Sequence, residues 1–220
     1  MLLHGIVSSR YLVPTARQLA ASCRVAAPDM PGFGRTPACG RSLTISEMAD
    51  LVAAWMAASG LEGSTVVGHS IGAQVAAALA ARHPEAVGGI VLIGPAVDRR
   101  ARSLLAQVWR WQANAPAEPL SFHALAAYEL GEMGPGRMLR ALRHAVDDAI
   151  EDKLSALTCP VLLVRGERDR IAPQEWLDEL QRRRPRSGLA VIPGAAHTVV
   201  YSRPAPLARI IIDFVRRPVR

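Results

Sequence analysis

The sequence predicts an α/β fold, with a mostly parallel central sheet of about six strands, helices on both faces and a helical lid. Three observations predict it. Short segments apolar at every position, such as 87–93, alternate with segments of helical periodicity, and strands apolar on both sides belong to parallel sheets covered on both faces. The alternation stops at about Asp98 and resumes near 161, with only helical patterns between. Finally, Thr65-Val66-Val67-Gly68-His69-Ser70-Ile71-Gly72 takes an apolar strand straight into a helix of small residues and leaves Ser70 on the corner.

Taken in order, residues 1–3 read as the end of a buried strand delivering His4-Gly5-Ile6. A helix is expected over 11–21 and a second short strand over 23–27. Two prolines and two glycines then make Pro28-Asp29-Met30-Pro31-Gly32-Phe33-Gly34-Arg35-Thr36 a loop. Residues 46–59 form an amphipathic helix with Met48, Leu51, Val52 and Trp55 on one face, Ser46 as its N-cap and Gly60 as its stop. After the strand 64–67, the helix 71–82 is nearly all alanine and small aliphatics, which lets it lie close to the sheet. Strand 87–93 ends at Gly94-Pro95. Helices at about 100–113, 119–131 and 136–150 follow, divided by Pro116, Pro119 and Gly134-Pro135-Gly136. Strand 161–165, helix 173–184, strand 189–192 and helix 203–216 close the chain. The expected organisation is a core in two parts, 1–97 and 153–220, around a lid at 98–152. At 220 residues and 50% apolar, with no repeat or low-complexity linker, the chain can bury one sizeable core.

Composition excludes several classes of function. The formal net charge of +7 is carried almost entirely by arginine. Arg99, Arg100, Arg102, Arg182, Arg183, Arg184, Arg186, Arg216, Arg217 and Arg220 fall at helix ends and exposed faces, not in one stripe interleaved with aromatics, and aromatics are only 5%. No nucleic-acid partner is expected. No unbroken apolar run could span a bilayer and no basic-then-apolar leader precedes the first strand, so a soluble, cytoplasmic protein without a membrane partner is expected. Cys23, Cys39 and Cys159 lack C-x-x-C pairing and read as buried or idle thiols. Without H-x-x-x-H or H-E-x-x-H spacing, a P-loop or a dinucleotide fingerprint, no metal and no cofactor are expected.

The corner at Ser70 is a place for a nucleophile. Gly68 and Gly72 flank it because so sharp a turn leaves no room for side chains, and the serine itself takes a strained backbone angle. Its hydroxyl is thereby pushed clear of the sheet, facing the N–H groups of a helix N-terminus. A serine attacks only when a base takes its proton and an acid orients that base. Asp169 follows strand 161–165 in Arg165-Gly166-Glu167-Arg168-Asp169-Arg170, and His197 follows the strand ending at 192 in Pro193-Gly194-Ala195-Ala196-His197. Both lie beyond the C-terminal ends of parallel strands, where functional groups gather. Asp98 and Glu167 are rivals for the acid, with Asp169 preferred.

The order Ser70, Asp169, His197, with His4-Gly5 and the Asp29-x-Pro31-Gly32-x-Gly34-x-Thr36 loop, resembles the α/β-hydrolase fold family over nearly the whole chain. The resemblance implies that Ser70 is the nucleophile, His197 the general base and acid, and Asp169 the residue that fixes the imidazole's tautomer. It makes the backbone N–H groups of Ile71 and Ile6 the oxyanion donors. In some members the acid sits one strand earlier, where this chain has Asp98. His4 would hold the oxyanion loop by hydrogen bonds and Asp29 brace its own loop, while His69 occupies a variable motif position. His83, His123 and His144 read as surface or lid residues. Typical members open with a two-strand hairpin before the His-Gly strand, and this sequence begins three residues before His4. Without the hairpin, 23–27 becomes an open sheet edge suited to pairing with a second copy as a homodimer, unless the true start lies upstream.

The lid carries Trp109, Trp111, Phe122, Tyr128, Met133 and Met138. Trp109, Phe122, Tyr128 and Met133 are expected to line the substrate pocket. An apolar roof over a serine favours a small to medium ester of little charge, so the expected activity is a carboxylesterase-like hydrolysis through an acyl-enzyme. The same resemblance keeps open a carbon–carbon bond hydrolase, a lactonase or thioesterase with the same three residues, and a ligand receptor without turnover. Epoxide hydrolases and haloalkane dehalogenases carry a carboxylate where this chain has Ser70.

Overall fold

A computed structural model describes residues 1–218, and Arg220 lies outside the described residues. Five strands, β1 (Leu2–Leu3), β2 (Ser64–His69), β3 (Val87–Ile93), β4 (Val161–Gly166) and β5 (Gly188–Ile192), form one parallel sheet in sequence order. The pleat sorts their side chains between two cores. Leu3, Val66, Ile90, Leu92, Val161 and Leu163 face one side, where α2 (Ile45–Ala58), α3 (Ile71–Arg82), α7 (Ile150–Leu154) and α8 (Gln174–Arg183) pack. Leu2, Val67, Val91, Ile93, Leu162, Val164 and Ile192 face the other, under α1 (Val13–Ala20) and α10 (Pro204–Arg216). The central strands are buried on both faces, which is why they read as unbroken apolar runs.

Helix α3 sits deepest, with every residue from Ile71 to Ala80 buried. Its alanines allow this, because a larger side chain would hold the helix off the sheet. Between β3 and β4 the chain leaves the sheet for α4 (Leu104–Asn114), α5 (Leu120–Met133) and α6 (Pro135–Asp147) before α7 returns to the core. A four-residue helix α9 (Val199–Ser202) precedes α10. No helix among the described residues is long and apolar enough to cross a membrane.

Three expectations need correction. The first is the inner face of α2: Met48 and Val52 are buried, whereas Leu51 and Trp55 are exposed and the buried stripe continues instead through Ala49, Ala53 and Met56. The sheet has five strands, not about six, because 23–27 is not a strand. That segment runs beside β1 but makes a single backbone bond there, from Leu2 N–H to Ala26 O at 2.8 Å. With β1 only two residues long and Pro28 next in the chain, there is no partner length for a ladder. The N-cap of α2 is Thr44, not Ser46: its hydroxyl accepts from Glu47 N–H, and the Glu47 carboxylate returns to Thr44 N–H at 2.9 Å. This reciprocal pair satisfies two end donors that a cap at Ser46 would leave open.

Candidate active site

The site begins at the corner between β2 and α3. Ser70 has φ 58° and ψ −119°, a left-handed geometry that costs a residue with a Cβ about 1–3 kcal/mol. The glycines show why the chain accepts it. A Cβ on Gly68 would press into the backbone of Gly72, and one on Gly72 into the carbonyl oxygens of Leu3 and His4. The helix can therefore start immediately after the strand only with glycine at both places. The other left-handed residue with a side chain among those described, Val97 (φ 63°), follows β3 and lines the same cavity as Ser70.

Asp169 and His197 come to this corner from the ends of β4 and β5. His197 Nδ1–H donates to Asp169 Oδ2 at 2.9 Å, and Asp169 Oδ1 accepts the N–H groups of Ile171 (2.8 Å) and Ala172 (2.9 Å). Both side chains are buried. Burial alone would raise the Asp169 pKa, but the charge of His197, its hydrogen bond and the two amides together hold it below the usual carboxylate value. Burial alone would lower that of His197, yet the Asp169 carboxylate and its hydrogen bond, with a smaller contribution from Glu118, leave it raised. Gly94, at the end of β3, packs against this pair, and its φ of 50° and lack of a Cβ keep the space open.

The rivals for the acid are engaged elsewhere. Asp98 is buried and takes Arg110 Nη2 at 2.8 Å, while the same guanidinium reaches Ile171 O at 3.1 Å. Glu167 accepts Gly194 N–H at 2.7 Å and braces the turn that leads to His197.

A buried relay links the loop after β1 to the loop holding His197. Gly5 N–H donates to Tyr11 Oη at 2.6 Å, so the phenol proton goes to His69 Nδ1 at 2.7 Å, and His69 Nε2–H donates to His197 O at 3.0 Å. The relay needs a neutral imidazole, and burial, with the charge of His197, pushes the His69 pKa down to about 3. His4 does the corresponding task one residue earlier: its Nε2 accepts Met30 N–H at 2.8 Å, leaving Nδ1–H for Gly5 O at 2.8 Å. Asp29 ties its loop to Ser9 and Arg35 through their N–H groups at 2.8 and 3.0 Å.

These elements surround a cavity of about 270 Å³. Ser70, His197, Ile6 and Ile71 all line it, as do Trp111, Phe122 and Leu142 from the helical insertion. Neither Ile6 N–H nor Ile71 N–H has an acceptor among the described residues, and no hydrogen bond joins Ser70 Oγ to His197 there. Of the four expected pocket residues, Phe122 lines this cavity. Trp109 is 74% exposed, Tyr128 stacks under Arg10 on the outer surface, and Met133 lines a neighbouring cavity between α6 and the loop after Met30. The helix α4 turns Trp111, two residues on, toward the site instead. Sequence reading passed over Tyr11 and Val97. Tyr11 carries only the helical periodicity of a core residue, and the strain at Val97 has no local signature.

The strand ends of the parallel sheet thus bring a strained serine and a histidine to one cavity, with a buried carboxylate behind the histidine. The model of the alpha/beta hydrolase family matches residues 1–210, and the chain belongs to that family. It is 29% identical over 245 residues to a pimeloyl-[acyl-carrier protein] methyl ester esterase of Neisseria meningitidis serogroup B, covering all of this chain and 93% of the relative. It is 26% identical over 242 residues to a 2-(acetamidomethylene)succinate hydrolase of Mesorhizobium japonicum, covering 96% and 86%. Among solved structures, a thermophilic esterase from Thermogutta terrifontis superimposes with a TM-score of 0.79 at 26% identity, over 100% of this chain and 89% of the esterase.

Proposed function

We propose that this hydrolase cleaves carboxylic esters of small to medium apolar substrates through an acyl-enzyme on Ser70. The observation that carries the reading is the His197–Asp169 pair, held at 2.9 Å at the cavity that Ser70 also lines. In this mechanism His197 takes the Ser70 proton as the hydroxyl attacks the ester carbonyl, and the oxyanion is held by the free N–H groups of Ile6 and Ile71. His197 then returns the proton to the departing alcohol, and a water activated by the same imidazole releases the acid. Asp169 keeps the proton of the neutral imidazole on Nδ1, so that Nε2 is the basic nitrogen. A cavity of about 270 Å³ roofed by Trp111, Phe122 and Leu142 supports a short acyl or alcohol group without charge. The named esterases among its relatives support the bond type.

The test is a panel of p-nitrophenyl esters of increasing acyl length, run with wild-type protein and Ser70→Ala, beside fluorophosphonate labelling. Turnover of the short esters, loss of at least about a thousandfold in Ser70→Ala and labelling confined to Ser70 are expected. Folded protein that neither turns over the esters nor takes the probe ends the reading. A vinylogous diketone cleaved much faster than any ester would move the substrate class to carbon–carbon bond hydrolysis.

A further inference from the structure

Two ties between the helical lid and the sheet have the same design. In each, a lid carboxylate pinches one hydroxyl residue, taking its backbone N–H on one oxygen and its side-chain O–H on the other. Glu129 of α5 accepts Ser8 N–H at 2.8 Å and the Ser8 hydroxyl at 2.5 Å. Glu118, in the turn between α4 and α5, accepts Thr198 N–H at 2.9 Å and the Thr198 hydroxyl. Asn114 completes the second tie, donating to Glu118 Oε1 at 2.7 Å and accepting Arg170 N–H at 3.2 Å, beside Asp169. The hydroxyl residues are not arbitrary: Ser8 stands two places after Ile6, and Thr198 directly follows His197.

We propose that Glu118 and Glu129 are positioning residues through which the lid sets the base loop and the oxyanion loop, so that docking the lid assembles both halves of the site. The inference rests on the roles proposed for Ser70, His197 and Ile6. Carboxylate bonds to N–H and O–H donors are stronger than neutral ones, and each here constrains a backbone amide within two residues of a reacting group. An error of 1 Å at such a group is enough to cost a large part of the rate.

The two carboxylates differ in what else they face. The charged or titratable groups around His197 are Asp169 from the β4–α8 loop, His69 from the end of β2 and Glu118 from the lid. Glu129 faces Ser8 and Arg10, the latter at 3.8 Å, and among the site's titratable groups it bears on the Tyr11 phenol, whose pKa burial already raises, but not on His197. Removing the charge at 118 therefore changes the proton affinity of His197, whereas removing it at 129 does not.

The experiment compares Glu118→Gln, Glu118→Ala, Glu129→Gln and Glu129→Ala with wild type. It reads kcat and KM on p-nitrophenyl butyrate from pH 5 to 9 and the rate of fluorophosphonate labelling, all below each variant's melting temperature. The glutamines keep shape and one acceptor, so they fold even where alanine weakens the protein. Glu118→Gln should shift the acid limb of both profiles down. Glu129→Gln should leave the limb in place and lower kcat about tenfold with little change in KM, as expected of a misplaced oxyanion donor. Arg102→Gln, which breaks the lid's Arg102–Glu151 pair, is the control for a merely structural tie and should lower the melting temperature alone. Limbs and kcat values matching wild type in the folded Glu118 and Glu129 variants overturn the proposal while leaving the esterase reading intact. Wild-type protein without turnover or labelling removes both.

Discussion

Replacing Asp169 by asparagine separates the two jobs of its carboxylate. Both oxygens are in use, Oδ2 by His197 Nδ1–H at 2.9 Å and Oδ1 by the N–H groups of Ile171 and Ala172 at 2.8 and 2.9 Å. Asparagine offers one acceptor. If its carbonyl stays on the two amides, its NH₂ faces Nδ1, which must then be the bare nitrogen. The imidazole proton moves to Nε2, and the nitrogen that the proposed mechanism uses to take the serine's proton is already occupied. If the amide flips instead, its NH₂ meets two backbone N–H groups in a place only 2% exposed. Two orphaned buried donors cost about 2–6 kcal/mol, against about 1.5–3 kcal/mol for the one charge-assisted bond lost in the first orientation. The first orientation wins, and with it the wrong tautomer. Asp169→Asn should therefore fold, melt about 4–8 °C lower for a loss near 2 kcal/mol, and lose about 10⁴ in kcat. The pH profile adds a sign. In the wild type the Asp169 charge and hydrogen bond outweigh burial and raise the His197 pKa, so the acid limb of kcat/KM should lie above the ordinary histidine range. In the asparagine variant burial acts without that charge, and the limb of the residual activity moves down. Steady-state kinetics from pH 5 to 9 and a thermal melt read all three quantities. A folded variant within tenfold of wild-type kcat, or one whose limb stays put, refutes the reasoning.

Tyr11→Phe removes the acceptor of Gly5 N–H and the donor to His69 Nδ1, both buried, and should cost about 2–4 kcal/mol; an unchanged denaturant midpoint would contradict the relay. Gly72→Ala drives a Cβ into the carbonyl oxygens of Leu3 and His4, so α3 must shift; a loss of about 1–3 kcal/mol or more with reduced labelling of Ser70 is expected, and a variant melting and labelling like wild type would show the helix free to move. His69 and His4 are buried as neutral imidazoles with lowered pKa values, so the unfolded chain binds more protons below 6.5. Their stabilisation is complete above 6.5 and is lost as pH falls toward the folded value, about 3 for His69. Urea midpoints should drop between pH 6.5 and 4, a window above the ordinary Asp169 range, and a flat profile there would count against buried neutral histidines.

Most helices and the central strands could be read from the chain because their signals are local. The apolar run 87–93 is strand β3 residue for residue, and the alanine-rich 71–82 is α3. The failures share a cause. Residues 23–27 have strand composition but no neighbour long enough to pair with, and pairing is a property of two segments. Thr44 displaced Ser46 as cap because the reciprocal bond with Glu47 outweighed a plausible hydroxyl two residues later. Trp109 and Tyr128 sit on the outer side of the lid, since alternation along a helix says which residues share a face but not which face meets the cavity.

By itself the sequence determined the corner at Ser70. Two glycines and a run of alanines leave the backbone no other compact path, and that steric constraint acts within ten residues. It also determined that Asp98, Glu167, Asp169 and His197 lie beyond strand ends. Which carboxylate meets His197 was decided only in three dimensions, where Arg110 draws off Asp98 and Gly194 N–H draws off Glu167. The same holds for Glu118 and Glu129. No local pattern in the sequence marks them, and their partners lie 80 and 121 residues away along the chain. Hydrogen bonds act over about 3 Å of space, whatever the distance along the polymer, so contacts of this kind exist only once the sheet and lid have packed.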